Sequence, residues 1–258
     1  MPNSTRGPMP SPMSSPVQDL VLRLATWNIH AGVGTDGSYR PERIAGVLCE
    51  LEGHVVALQE VEHRPAGGED MLDYLAAESA LTGIAGPTLL KEGRHYGNAL
   101  LSGLPVLAVN RVDLSLDRRE PRGALDVLLD WRGRRLQVVA THLGLRPFER
   151  RRQVRALLAL FEERQADVAV LMGDLNEWLL WGRPLRWLRG HFAPTPHVRT
   201  FPARLPMLAL DRIWVQPRHC LARLRAHRTP LARAASDHLP LTAMLRDEEP
   251  VHAASSDA

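Results

Sequence analysis

The chain has 258 residues, 45% of them hydrophobic and 24% charged, enough to bury a sizeable core in one large domain or two small ones. No apolar stretch approaches the roughly 18–20 residues that span a membrane, and two cysteines, Cys49 and Cys220, are too few for a disulfide framework, which fits a reducing cytoplasm. The formal charge of +3 and the pI of 9.3 come from arginine, Lys91 being the single lysine, so basicity alone does not point to nucleic acid.

Residues 1–19, MPNSTRGPMPSPMSSPVQD, are rich in Pro and Ser and lack an apolar h-region, so a flexible leader is expected rather than a secretory signal. LVLRLATWN (20–28) alternates and predicts a strand ending on Asn28. RPERIAGVLCELEG (40–53) has helical spacing at Ile44, Val47, Leu48 and Leu51, with Gly53 as the stop and Cys49 expected as a small core residue. HVVALQEV (54–61) predicts a strand that turns acidic, and EDMLDYLAAESAL (69–81) a second helix. GNALLS (97–102), PVLAVNRVDL (105–114), GALDVLLDW (123–131) and RRLQVVATHL (134–143) are four consecutive strand signals with turn residues between them. PFERRRQVRALLALFEERQ (147–165) is the longest helix pattern, its arginines expected on the outer face; DVAVLMGDLNEW (167–178) is a core strand with a polar end. After a Trp-rich loop (177–192) come ALDRIWVQ (209–216), LARLRAHRT (221–229) and LPLTAML (239–245), and a flexible tail is expected over 247–258. Antiparallel-type strand runs with interspersed helices predict an α+β domain over 20–246, two sheets packed face to face with helices outside and a βαβ-like unit in each half.

These strands meet polar groups at their ends. Asn28 follows LRLATW, Glu60 follows VVALQ, His142 follows LQVVAT, Asp174 and Asn176 follow VAVLMG, Asp211 precedes RIWV, and Asp237 and His238 precede LPLTAML. Any one of these reads as a cap or a turn; together they suggest a site held on one rim of a sandwich. There is no Gly-rich phosphate loop, no GxSxG elbow and no Cys/His cluster with zinc spacing. Hard oxygen donors (Glu60, Asp237 and the Asn28 amide) suit Mg²⁺ or Mn²⁺, and imidazoles beside such a cation suit proton transfer or anion stabilisation. That combination implies metal-assisted in-line hydrolysis of a phosphate ester.

The segments TWNIH (26–30), ALQEV (57–61), YGNALLS (96–102), THL (141–143), GDLNEW (173–178), LDRIWV (210–215) and SDHLPL (236–241) occur in an order that resembles the endonuclease/exonuclease/phosphatase superfamily, which includes DNase I-like nucleases, inositol polyphosphate phosphatases and bacterial sphingomyelinases. The resemblance implies a DNase I-like four-layer α/β/β/α sandwich of two mixed sheets. It further implies that Glu60 and Asp237 hold the metal with Asn28 beside them, and that Asp174 and Asn176 bind or align the attacking water and the phosphate. His238, oriented by Asp211, would be the general base or polarise the phosphate, and His142 would stabilise its charge. The family's carboxylate partner for this last histidine matches only loosely, Glu92 being near. His30, His54, His95 and His227 match no such position and read as structural or surface residues.

For the substrate, a phospholipid or other small phosphodiester is preferred. A nuclease is the alternative, and a non-catalytic binding module is least favoured because all the site positions are retained. The arginines of 146–155 and 218–233 could contact nucleic-acid phosphates, but both runs also read as solvated faces. The loop EWLLWGRPLRWLRGHF (177–192) reads either as a short helix whose aromatics cover the core or as an aromatic-basic surface for an anionic membrane or for bases. The enzyme is expected to act as a cytoplasmic monomer.

Overall fold

The computed structural model describes residues 21–63, 70–91, 94–163 and 165–247. The expected leader and nearly all of the expected tail lie outside these residues; Asp247 lies within them and pairs with Arg134 at 2.5 Å. The first half of the chain runs β1 (Val21–Asn28), α1 (Pro41–Leu51), β2 (Val55–His63), α2 (Met71–Ser79), β3 (Thr82–Lys91), β4 (Arg94–Ser102) and β5 (Val106–Asp113). The second runs β6 (Gly123–Trp131), β7 (Arg134–His142), α3 (Pro147–Glu163), β8 (Val168–Asp174), α4 (Arg183–Phe192), β9 (Asp211–Gln216), β10 (Leu221–Ala226), α5 (Pro230–Ala235) and β11 (Leu241–Arg246).

The strands form two mixed sheets, ordered β10-β11-β1-β2-β4-β3 and β5-β6-β7-β8-β9. Alternation gives each sheet two apolar faces, which explains three hydrophobic layers. Leu24, Leu100, Val127, Val138, Val170 and Ile213 meet between the sheets. On one outer side Trp27, Leu58 and Leu101 pack beneath Ile44, Leu48 and Leu75 of α1 and α2. On the other, Val139, Leu171 and Trp214 pack beneath Leu157, Leu185, Leu188 and Phe192 of α3 and α4. This is the expected four-layer α/β/β/α sandwich. No helix among the described residues is long and apolar enough to cross a membrane.

Each half contains a parallel βαβ unit, β1-α1-β2 and β7-α3-β8. The strands that lead away from the shared rim, β11 beside β1 and β9 beside β8, are antiparallel. Thus β1, β2, β7 and β8 finish, and β9 and β11 begin, at one end of the sandwich. That topology collects the polar strand ends.

Several elements depart from the sequence reading. β3 was not expected, because Gly83, Gly86 and Pro87 look like a loop; Pro is tolerated here because β3 is an edge strand, paired only on the β4 side. α5 was also missed, although Thr229 caps it by accepting the Ala232 N–H at 3.1 Å. α1 ends on Glu52 in the left-handed region, one residue before the expected Gly53 stop. Cys49 is exposed rather than core, its thiol on the helix flank 3.7 Å from the Glu78 carbonyl, whereas Cys220 is buried. In α3 the arginines are not all outward: Arg150 is fully buried and paired with Glu177 at 3.1 Å.

Candidate active site

Two backbone devices aim the carboxylates. At the end of β2 the pairing with β4 slips between Leu58 and Val61, and Glu60 takes φ 60°. A bulge with a left-handed residue turns its side chain out of the strand's alternation and toward the rim. At the end of β8 the residue before Asp174 is Gly173, at φ 149°, where an added Cβ would lie 1.9 Å from the Thr141 carbonyl oxygen. Only glycine lets β8 approach β7 this closely. Asn176, also left-handed at φ 50°, donates its backbone N–H to the Asp174 carboxylate at 2.9 Å and its side-chain amide to the Leu143 carbonyl at 2.9 Å.

The side chains then meet. The Asn28 amide donates to Glu60 Oε1 at 2.9 Å and to Asp174 Oδ2 at 3.2 Å, joining the two sheets at the rim. Asp174 Oδ2 also lies 3.5 Å from His142 Nε2 and 3.7 Å from His238 Nε2. His238 Nδ1 is 2.9 Å from Asp211 Oδ2, which also accepts the Thr200 hydroxyl at 2.5 Å. The Ser236 hydroxyl bonds to the Asn28 carbonyl at 2.7 Å and receives the His238 N–H at 3.2 Å. Asn28, Glu60, His142, Asp174, Asp211 and His238 therefore form one network. Asp237 stands at its open side, with a carboxylate 39% exposed and 3.9 Å from His30 Nδ1. That places His30, read as a structural or surface residue, at the edge of the site. His54 is structural as expected, its Nδ1 accepting the Arg23 N–H at 3.0 Å.

The two imidazoles titrate differently. Burial pushes His142 down to about 4, with Arg122 and His238 adding to the effect against the pull of Asp174. Burial also disfavours the charged form of His238, but the Asp211 carboxylate and its hydrogen bond, then Asp174 and Asp237, outweigh it and raise the ring to about 10. The two imidazoles are thus shifted in opposite directions, His142 toward its neutral form and His238 toward its charged form.

Several side chains of this network escaped the sequence reading. Arg122 is 7% exposed, with Nη1 3.4 Å from His142 Nδ1 and Nη2 bonded to Glu120 at 2.9 Å. It sits before the start of β6, which antiparallel pairing brings to the rim where β7 ends; a search of strand ends passes over it. Tyr96 bonds to Glu60 through its phenol, and burial followed by the Glu60 charge holds its proton on far more tightly than usual. Thr200 has no local signal at all. Glu92, the loosely matched partner for His142, lies outside the described residues; here that ring faces Arg122, with Glu60 Oε1 at 4.0 Å.

The donor set fits a hard divalent cation. Carboxylate oxygens of Glu60 and Asp174 converge on one amide group, and the buried Asp211 Oδ1 has no hydrogen-bond partner. The ligand-capable atoms of Asp174, Asp211 and His238 lie within 4.8 Å of one another. There Asp211 Oδ2 is already engaged by His238 and Thr200, which suits orienting an imidazole better than ligating an ion.

A two-sheet sandwich with this rim defines a class, and residues 25–238 match the Endonuclease/Exonuclease/phosphatase family; the chain belongs to it. It is similar to the uncharacterized protein YbhP of Escherichia coli, 30% identical over 255 residues, covering 90% of this chain and 98% of that one. An endonuclease/exonuclease/phosphatase from Beutenbergia cavernae superposes with a TM-score of 0.74 at 25% identity, over 88% of this chain and 72% of the other. The mannosyl-6-phosphatase Bt3783 of Bacteroides thetaiotaomicron shares the fold at a TM-score of 0.68 and 16% identity, over 86% and 98% of the two chains.

Proposed function

We propose that residues 20–246 form a divalent-cation-dependent hydrolase acting on a phosphodiester of small or lipid type. The observation that supports this most directly is the meeting of Asn28, Glu60, Asp174, His142 and the His238–Asp211 pair at one rim, with Arg122 behind His142. Asn28, Glu60 and Asp237, beside Asp174, would hold Mg²⁺ or Mn²⁺, which when bound polarises phosphoryl oxygens and acidifies a bound water. Asp174, with the loop fixed by Asn176, aligns the attacking water. His238, its Nδ1 fixed on Asp211, moves a proton at Nε2, which faces the Asp174 carboxylate. His142 presents Nε2 to the same space, and Arg122 adds fixed positive charge toward the charge that develops on the phosphoryl group.

The diester reading is preferred to a nuclease because the two arginine runs are not wholly free to grip DNA. Arg150 is buried against Glu177, and Arg223 and Arg225 lie on β10 at the edge of its sheet. The test is hydrolysis of bis-p-nitrophenyl phosphate, phosphatidylglycerol, sphingomyelin, abasic DNA and supercoiled plasmid with Mg²⁺, Mn²⁺ or EDTA, with His238→Ala as background. Diester turnover that needs the cation and vanishes in the variant is expected. Undiminished turnover in EDTA, or a preference for plasmid over every other substrate, would reject the reading.

A further inference from the structure

Three loops leave the sandwich at the site rim and expose apolar side chains. The loop between β8 and α4 carries Trp181, 73% exposed, and Trp178; the loop between β7 and α3 carries Leu145, 59% exposed. The segment entering β9 carries Leu205 at 68% and Met207 at 59%. These loops are continuous with the site. The first starts at Asn176, and Phe201 in the third packs its ring 4.7 Å from that of His238.

The exposure is built rather than frayed. Gly182 N–H closes on the Leu179 carbonyl at 2.8 Å, buried Arg150 donates to the Leu145 carbonyl at 2.6 Å, and Met207 N–H bonds to the Phe201 carbonyl at 2.8 Å. Such a group of water-facing apolar side chains at the mouth of a site marks an interaction surface. Charge indicates what it meets: Arg146 and Arg204 are exposed on these loops, Arg183 and Arg186 on the adjoining start of α4, and Arg118 and Arg119 on the connection between β5 and β6 that leads to Arg122, against exposed Asp117 and Glu120. Leu and Met offer no stacking plane for a base, whereas Trp, Leu and Met ringed by arginine suit the headgroup and acyl boundary of an anionic bilayer.

We infer that this rim docks on anionic phospholipid, seating the site against a membrane surface so that the substrate is an amphiphilic phosphodiester. The inference rests on the phosphoric-ester hydrolase reading for its chemistry, but the docking is measured separately. The full chain is sedimented with vesicles of equal phosphatidylglycerol and phosphatidylcholine, and with phosphatidylcholine alone. Binding to the mixed vesicles is expected, weaker in high salt, with a blue-shifted tryptophan emission. The triple variant Trp181→Ser, Leu205→Ser, Met207→Ser should lower that partitioning at least about tenfold while hydrolysing bis-p-nitrophenyl phosphate and melting like the parent. Absence of vesicle binding by the parent chain overturns the inference, as does equal binding by the variant. Loss in the variant of single-stranded oligonucleotide binding, without vesicle binding by the parent, overturns it in favour of a nucleic-acid surface. Vesicle binding without hydrolysis of any phosphodiester leaves docking standing and rejects the hydrolase reading alone.

Discussion

The two βαβ units perform the same topological task by different physical means. β1-α1-β2 brings Asn28 and Glu60 to the rim; β7-α3-β8 brings His142 and Asp174. In the first unit the carboxylate is aimed by a bulge, its side chain is 20% exposed, and the helix buries a purely apolar stripe. In the second, Asp174 is 2% exposed, Gly173 permits a contact no side chain could make, and α3 buries Glu149, Arg150 and Gln153 as well as apolar residues. Those polar groups clamp loops: Arg150 holds Glu177 and the Leu145 carbonyl, and the Gln153 amide oxygen accepts the Gly144 N–H at 2.8 Å. The more open half suits exchangeable ligands, and the buried half fixes groups that must not move.

The largest effect that would sharpen this contrast is catalytic. Glu60→Gln and Asp174→Asn should each lower turnover of a soluble diester on the order of 10³-fold. Raised Mn²⁺ should partly restore the first and not the second; equal rescue in a metal titration would erase the distinction between the halves.

Next in size is the buried ion pair. Arg150→Ala leaves Glu177 buried and unpaired, and a loss of about 3–5 kcal/mol is expected in urea unfolding. Its counterpart in the first half, Arg43 with Asp36 at 2.8 Å, is partly exposed and screened by solvent, so Arg43→Ala should shift the urea midpoint far less. Similar losses from the two changes would mean that the clamp is not special to the second half.

Gly173→Ala should destabilise by about 2–3 kcal/mol, because the new Cβ meets the Thr141 carbonyl. Glu60→Gly should stay within about 1 kcal/mol of the parent, since glycine accepts the left-handed bulge without strain. Thermal melts of both variants decide it. The smallest change is Cys49→Ser on the outer flank of α1, expected within about 0.5 kcal/mol; a larger drop in melting temperature would return that residue to the core.

Much of this was legible in the amino-acid order. Ile44, Val47, Leu48 and Leu51 do form the buried stripe of α1, and the strands bearing Asn28 and His142 end within a residue of the expected bounds, whereas β2 runs on past Glu60 to His63. The misreadings have specific causes. Cys49 looked buried because its neighbours are, yet it projects from the other side of the helix. The Trp-rich segment held both readings at once: Trp187 packs against the core under Arg155, 4.6 Å from its ring, while Trp178 and Trp181 face water. Helical periodicity separates those positions only when the start of α4 is known.

The sequence by itself determined most element types and the candidate groups at the strand ends, because hydrophobic period and short motifs are properties of neighbouring residues. Tertiary structure decided which strand ends share a rim, since Asn28 and Asp174 meet across 146 residues of chain. It also decided their electrostatics. The two site histidines are shifted in opposite directions because one is buried beside an arginine and the other lies against Asp211. Depth of burial and the sign of a neighbouring charge arise only when distant segments pack together.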